Sequence, residues 1–567
     1  MGTTPMPYTP ACPPDRRGAL LRIRRYAVPR SMIERATERR LAGDWRGACA
    51  AAGMDLAFDP DRVRGEYGAE FARALLDDLR HLVPDLVRWH YPRREVFEHT
   101  DLHHTVFPVL SRPGGAEGPW LTVHFRGSLG RDPQRLLLRL SRVPEPGTEV
   151  GERTTFWKSS RLWTASRYLW DSRHVHETRE RWGGGAERAP FLNPDGTPRS
   201  ADEIPAEDPG HDDPAARTEW IDALYGAGRV EEAFTAAGID PSPYLLFAAE
   251  NRHRQPWPPL SVALLAREAG HLAAVEPAAR RALSLRHLGD LVTEGGRLRL
   301  VAHDRNGPQP PGVTGERPLD VDVLRLGMSP DHLHPAVRDA LAPARPPADG
   351  PVGPPPWEPV EPVRVRCGGE WHTLAFRGGR LTGPHTEEEH DRERSLRAFG
   401  GRSTGCFAAR ETWTAGHGWL PRALRARRVE LFERILHGDT GAVLAYLDAG
   451  GDPHVRDGDG RTLLHHLAHL DHEALLPRLL AAGLDPDGED LNRQAPLCHL
   501  ARFDGTVPLL RALISAGART DGLRGISGGP HTLARVLRHH GKRSLRPGND
   551  TAEREALLQE LEEPDRP

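Results

Sequence analysis

Between Leu420 and Leu561 the apolar residues return as leucine pairs with a period of 33 to 34 residues. Leu475-Leu476 and Leu479-Leu480 precede Gly483-Leu484-Asp485, and Leu509-Leu510 and Leu513-Ile514 precede Gly517-Ala518. A degenerate earlier copy holds Leu431, Ile435, Ala442-Val443, Tyr446-Leu447, Gly450 and Asp452. Leu464 to Leu497 and Gly450 to Gly483 are each 33 residues. Pairs four apart give a helix one apolar stripe. A single helix pair cannot bury that stripe, so copies must stack and the end copies need cover. Three copies are near the lower limit. The array is therefore expected to lean on the segment before it and to end in a cap, the helix Thr551 to Leu561.

The second copy opens with Asp459-Gly460-Arg461-Thr462-Leu463-Leu464-His465 and Ala468, the third with Ala495-Pro496-Leu497-Cys498 and Ala501. These residues resemble the ankyrin repeat, whose signature is Thr-Pro-Leu-His-x-Ala, then a leucine pair and a glycine turn. The resemblance places Thr462, Leu464, His465, Ala468, Gly483, Pro496, Leu497, Ala501 and Gly517 at the repeat's structural positions. It implies that Thr462 and His465 hydrogen-bond at the helix start and tie one repeat to the next. Leu463 stands where the family has Pro, and Ala495 and Cys498 where it has Thr and His, so the third repeat is expected to be looser. The resemblance also implies a protein partner, held by the inter-repeat tips and inner helices. The tip candidates are His454, Arg456 and Asp457, then Asp487, Glu489, Asn492 and Arg493. The inner-helix candidates are His466, His469 and His499.

The first 340 residues mix periods. Ser31 to about Leu41 and Gly65 to His90 read as helical, while Val106–Leu110, Trp120–Phe125, Arg135–Leu140, Leu298–Val301 and Leu319–Leu326 read as strands. An internal echo links Leu41-Ala42-Gly43-Asp44-Trp45 and Ala51-Ala52-Gly53-Met54-Asp55 to Tyr225-Gly226-Ala227-Gly228-Arg229 and Ala236-Ala237-Gly238-Ile239-Asp240. A second echo sets Leu79-Arg80-His81-Leu82 against Leu285-Arg286-His287-Leu288. The expected fold class is an α+β N-terminal region of duplicated helical units with short strands, followed by an all-α ankyrin-repeat solenoid. The expected divisions are a disordered start (1–28), an α/β unit with an aromatic-rich end (29–182) and a polar loop (183–217). A second α/β unit (218–342), a Pro-rich linker (343–362), a unit containing the hairpin Val363–Leu381 (363–419) and the repeats with their cap (420–561) complete them.

Composition narrows the function. A formal charge of −3 over 567 residues argues against a chain built to coat nucleic acid or an anionic membrane. Lys158 and Lys542 are the only lysines among 76 basic residues, a bias expected of a GC-rich gene. Cys12, Cys49, Cys367, Cys406 and Cys498 are odd in number, scattered and without a CxxC pair, which reads as reduced thiols and not as a disulfide framework or a structural zinc site. No apolar run suggests a leader or a membrane span, so a cytoplasmic protein is expected.

Several clusters bear on chemistry. His465, His469 and His472 share one helical face, a spacing that could hold a metal, but His465 already has a repeat role. Glu98, His99, Asp101, His103 and His104 lie together before a strand in no recognised spacing and read as a surface loop. His385, Glu387, Glu388, Glu389 and His390 read as the charged start of a helix through Leu396. Phe156, Trp157, Trp163, Tyr168, Trp170 and Trp182 interleave with Lys158, Arg161, Arg167, Arg173, Arg179 and Arg181, a pattern that fits core packing and, as an alternative, base stacking. Gly525-Ile526-Ser527-Gly528-Gly529 matches GxSxG without the strand and helix a nucleophile elbow needs. No catalytic residue, metal ligand or cofactor is assigned. The reading is an ankyrin-repeat scaffold or adaptor, more a binder than an enzyme. The alternatives are an enzyme or toxin-like effector with an N-terminal active site, and a nucleic-acid binder using 156–182.

Overall fold

The helix–glycine–helix echo marks the same order of elements at both places. The first runs from helix Arg30–Leu41 through Gly43 to helix Trp45–Ala51, Gly53 and strand β1 (Met54–Leu56). The second runs from helix Pro214–Gly226 through Gly228 to helix Val230–Ala236, Gly238 and strand β8 (Ile239–Pro241). Asp44 and Asp213 cap the helices that follow them, accepting from Gly47 N and Ala216 N. The computed structural model describes residues 16–96, 99–115, 118–125, 127, 133–142, 159–241, 260–275, 282–285, 289–294, 296–302, 317–399, 403–503, 505–524, 530–540 and 551–562. Residues 286–288 of the second echo lie outside them, as do Phe156, Trp157, Lys158, Glu98 and the GxSxG segment 525–529. Contacts divide the chain into two units, residues 1–126 with 135–355 and residues 127–134 with 356–567.

In the first unit each echo strand joins a sheet in the same way. Strands β4 (Phe107–Ser111), β5 (Trp120–Phe125) and β6 (Leu136–Ser141) form an antiparallel series, and β1 pairs parallel to β6, Met54 opposite Leu136. Strand β7 (Ser160–Leu162) extends the far edge parallel to β4. Strands β9 (Ala282–Leu285), β10 (Gly289–Glu294) and β11 (Arg297–Val301) repeat the antiparallel series, and β8 pairs parallel to β11, Ile239 opposite Leu298. A longer helix precedes each series, Ala69–His81 in one and Val262–Val275 in the other. Strands β2 (Arg93–Val96) and β3 (His99–Leu102) make a separate hairpin.

Residues 319–326, expected as a strand, form the helix Leu319–Arg325. Pro318 precedes it, and Asp320 and Asp322 in its first turn favour the helix N-terminus. Val321, Val323 and Leu324 are all buried, so the element is covered on more than one face and its apolar pattern mimics a strand's alternation. This helix joins a core with Leu20, Ile33, Leu86 and Val337, so the segments 29–182 and 218–342 share one interior. A polar knot crosses it. Arg24 Nη2 donates to Asp320 Oδ2 at 2.8 Å and Nη1 to the Trp89 carbonyl at 2.6 Å, while Trp89 Nε1 donates to Asp320 Oδ1 at 3.0 Å. His334 Nε2 lies 2.9 Å from Asp85 Oδ2 close by.

The second unit corrects the expected fold class. The segment 420–561 is not an all-α solenoid: it carries a two-stranded pair, β15 (Leu523–Arg524) with β16 (Pro530–His531), among its later helices, and ahead of it the segment expected as a hairpin forms the antiparallel sheet β12 (Val363–Cys367), β13 (Glu370–Arg377) and β14 (Arg380–Thr382). From Arg422 on the helices come in pairs: Arg422–Leu436 with Thr440–Asp448, Leu463–His469 with His472–Ala481, Pro496–Arg502 with Val507–Ser515, and Leu533–His540 with Thr551–Glu562. Leu463–His469 is a 3-10 helix closed by an extended Leu470. The physical reason for the sheet is coverage. Val365, Leu374 and Leu381 share one core with Leu424, Leu431 and Tyr446, and the sheet packs on the helix Gly405–Ala415 with Phe376 reaching the first helix pair at Tyr446. Phe376 packs between Trp413 and Tyr446, with ring centroids 5.0 and 6.2 Å away.

The knot in the first unit yields an expected outcome. Asp320→Ala strands the Arg24 guanidinium in the interior and should cost about 3–5 kcal/mol. The double replacement Arg24→Met with Asp320→Leu should recover most of that loss. Urea unfolding of the three chains checks it, and a single-variant loss under about 1 kcal/mol would show that the pair does not hold the core together.

Candidate functional site

The joint between the second and third helix pairs rests on one imidazole. Thr462 N donates to His465 Nδ1 at 3.1 Å, and Thr462 Oγ1 lies 2.9 Å from the same nitrogen. With Nδ1 accepting, Nε2 carries the proton and donates to the Gln494 carbonyl at 2.9 Å, across the gap to the next loop. Burial pushes His465 down to about 3, which keeps the ring neutral. In the third pair Ala495 offers no side-chain cap, and Cys498 Sγ lies 3.5 Å from the Arg524 carbonyl of β15. A weak thiol donor thus takes the place that His465 holds one repeat earlier. Leu464, Leu497 and Ala501 are buried, Ala468 is half-buried, and Pro496 is the first residue of its helix. Gly450, Gly483 and Gly517 close the second helices with φ of 79°, 84° and 93°.

The loops between the pairs form a braced ledge. Within each loop an aspartate accepts from backbone further on. Asp452 takes His454 N, Asp457 takes Asp459 N and Arg461 N, Asp485 takes Asp487 N, and Asp490 takes Asn492 N and Gln494 N, all at 2.8–2.9 Å. Between loops, Arg456 Nη1 donates to the Glu489 carbonyl at 2.7 Å, Leu491 N to the Asp459 carbonyl at 3.0 Å and Arg519 N to Asp487 Oδ1 at 3.0 Å. Of the tip residues singled out in the sequence, His454, Glu489, Asn492 and Arg493 stand exposed. Arg456, Asp457 and Asp487 are half-buried and do the bracing. Asp457, which burial alone would raise, is held down at about 2 by His466 and Arg461. His466 and His499 are buried, and His469 is half-buried with its ring against His466, so the inner-helix histidines face neighbours within the fold.

A second assembly lies beside the ledge. Cys367, His372, His385 and Cys406 bring one ligand-capable atom each to within 4.8 Å of the others. Cys367 ends β12 and His372 sits diagonally across on β13, where the register sets Val365 opposite His372. His385 follows β14 and directly precedes Thr386, which trades hydrogen bonds with Glu389 at the start of the helix Glu387–Ala398. Cys406 is the second residue of the helix Gly405–Ala415. Gly405 makes that approach possible. Its φ is +58°, and a side chain there would meet the Cys367 Cβ at 2.7 Å. Cys367 Sγ to His385 Nε2 and Cys406 Sγ to His372 Nδ1 are each 3.5 Å, and the two ring nitrogens are 3.1 Å apart. Burial, with the Cys367 thiol beside it, pushes Cys406 up to about 12. Sequence inspection missed this set because no two ligands form a short motif. The available signal was His385, which reads there as part of a charged helix start.

Among the described residues the other sequence clusters do not converge. His465 and His469 belong to the 3-10 helix and His472 begins the next helix, so they share no helical face. Asp101 is buried, and His103 Nδ1 is engaged by Thr105 at 3.3 Å. Trp163, Tyr168, Trp170 and Trp182 are buried, and Arg167 and Arg173 bind Asp171, so the described part of the aromatic–arginine segment is core. Among the described residues no helix is long and apolar enough to cross a membrane. No protein-family model and no curated protein matches this chain.

The neutral His465 sets a pH dependence. Its folded value lies near 3 and a free imidazole titrates near about 6.5, so the unfolded chain binds the extra proton between them. Stability from this group is complete above about 6.5 and is lost as pH falls toward about 3, at roughly 1.4 kcal/mol per pH unit. His465→Gln should flatten the fall of unfolding free energy between pH 6 and pH 5 by about that slope. Urea titrations at both pH values check it, and parallel curves for the two chains would refute it.

Proposed function

We propose that this protein is a scaffold or adaptor that binds a protein partner through an ankyrin-type C-terminal module, using the exposed side chains of the braced ledge. The observation that carries the reading is the pairing of a locked backbone with exposed side chains, of which Arg493 and Glu489 face each other at 3.4 Å. His454, Glu489, Asn492 and Arg493 project from loops whose own amides are already satisfied by aspartates and by neighbouring loops. A surface ordered before binding loses less entropy when a partner arrives.

The adjoining groove, about 540 Å³, supports a protein over a nucleic acid as the occupant. It is lined by Arg380, Arg394 and Arg410 together with Glu393, Glu411 and Asp452. Both signs are present, whereas a phosphate backbone is held by one. The buried aromatics of 163–182 likewise leave little to stack on bases.

The test uses the full chain. A variant carrying His454→Ala, Asn492→Ala and Arg493→Ala alters exposed tips and should keep its thermal midpoint within a few degrees of the wild type. In crosslinking and affinity capture from the native host, the wild type should retain a discrete partner that this variant loses at least about tenfold, the equivalent of 1.4 kcal/mol. Equal capture by both chains would remove the ledge from the binding role.

A further inference from the structure

We propose that Cys367, His372, His385 and Cys406 form a four-coordinate structural zinc site that fastens the β12–β14 sheet to the helix Gly405–Ala415. A tetrahedral zinc with two thiolates and two imidazoles requires ligand separations of about 3.3 Å between nitrogens, 3.6 Å between nitrogen and sulfur and 3.8 Å between sulfurs. The structure has 3.1 Å between the nitrogens and 3.5 Å for two nitrogen–sulfur pairs. Three of the six separations thus match the tetrahedral values, and all six lie within 4.8 Å.

The chemistry of the donors selects the ion. Two soft thiolates with two imidazoles suit zinc, whereas magnesium and calcium take oxygen ligands. A two-iron cluster with cysteine pairs on one iron and histidines on the other would hold sulfur and nitrogen well apart, and here each sulfur touches a nitrogen. Binding sends two thiol protons to solvent, and the two thiolates then neutralise the dication, which suits a site whose cysteines are buried. The ring nitrogens turned away from the centre face carboxylates. His385 Nδ1 lies 3.5 Å from Glu389 Oε2, a neighbour placed to orient that ring, while His372 Nε2 lies 3.9 Å from Glu370 Oε2, beyond hydrogen-bond reach. Four protein ligands leave no open position, and Phe407 lies against the His385 ring at 4.3 Å, so the role is structural.

The inference does not depend on the proposed binding role. Full-length protein should carry a single equivalent of zinc by atomic emission after gel filtration, and so should Cys498→Ser, which alters a buried cysteine outside the cluster. Cys367→Ser and Cys406→Ser should retain only a trace. Should those variants fail to fold, cobalt exchanged into the wild type decides the matter. Intense visible bands of a tetrahedral ion with sulfur-to-cobalt charge transfer support the site. Weak octahedral bands, or wild-type protein that holds no zinc when supplied with it, overturn it. Full zinc in Cys367→Ser with an unchanged cobalt spectrum would place the metal elsewhere and also overturn it.

Discussion

The joint in the middle of the C-terminal unit requires one proton position on a buried imidazole. His465 accepts at Nδ1 from its own helix start and donates at Nε2 to the loop that opens the next helix pair. Either a second ring proton or the other tautomer would set an N–H against Thr462 N and break the joint. Gln494, the acceptor across the gap, is anchored through its own amide to Asp490, and Asp490 also shapes the loop carrying Asn492 and Arg493. The exposed ledge is thus held by a hydrogen-bond chain that begins at a buried neutral imidazole.

Local features of this arrangement were legible in the sequence. Leucine pairs, glycines at fixed intervals and the Thr462–His465 spacing each act over a few residues, and each appears where the pattern put it. What could not be read depended on strand register and on contacts distant in sequence. Leu319–Arg325 carries an apolar pattern that suits a strand, because a helix buried on more than one face shows no single apolar stripe. The Cys–His cluster draws ligands from a strand end, a paired strand, a helix entry and a later helix start. The hairpin itself was visible as alternation, but alternation does not say what a sheet will cover.

The two units use buried polarity differently. In the first, the guanidinium of Arg24 is desolvated, and burial lowers its affinity for the proton while Asp320 opposes that shift. Such a pair adds little net stability, but it fixes the register of the Leu319–Arg325 helix against Trp89, because any slip would strand a charge. In the second unit Arg434, buried in the helix Arg422–Leu436, pairs locally with Glu430 and Asp439 at 3.1 Å, and the joint between the second and third helix pairs is carried by neutral groups and a backbone carbonyl.

The repeated parallel strands have a consequence for how the chain reaches its fold. An antiparallel series can zip outward from its turns, but β1 and β8 pair with the last strand of the series that follows them, Met54 with Leu136 and Ile239 with Leu298. Neither edge can form until the whole intervening segment has been made and brought back. Each echo therefore ends in a late closure, and during synthesis the edges of β1 and β8 each wait unpaired until β6 and β11 have been made.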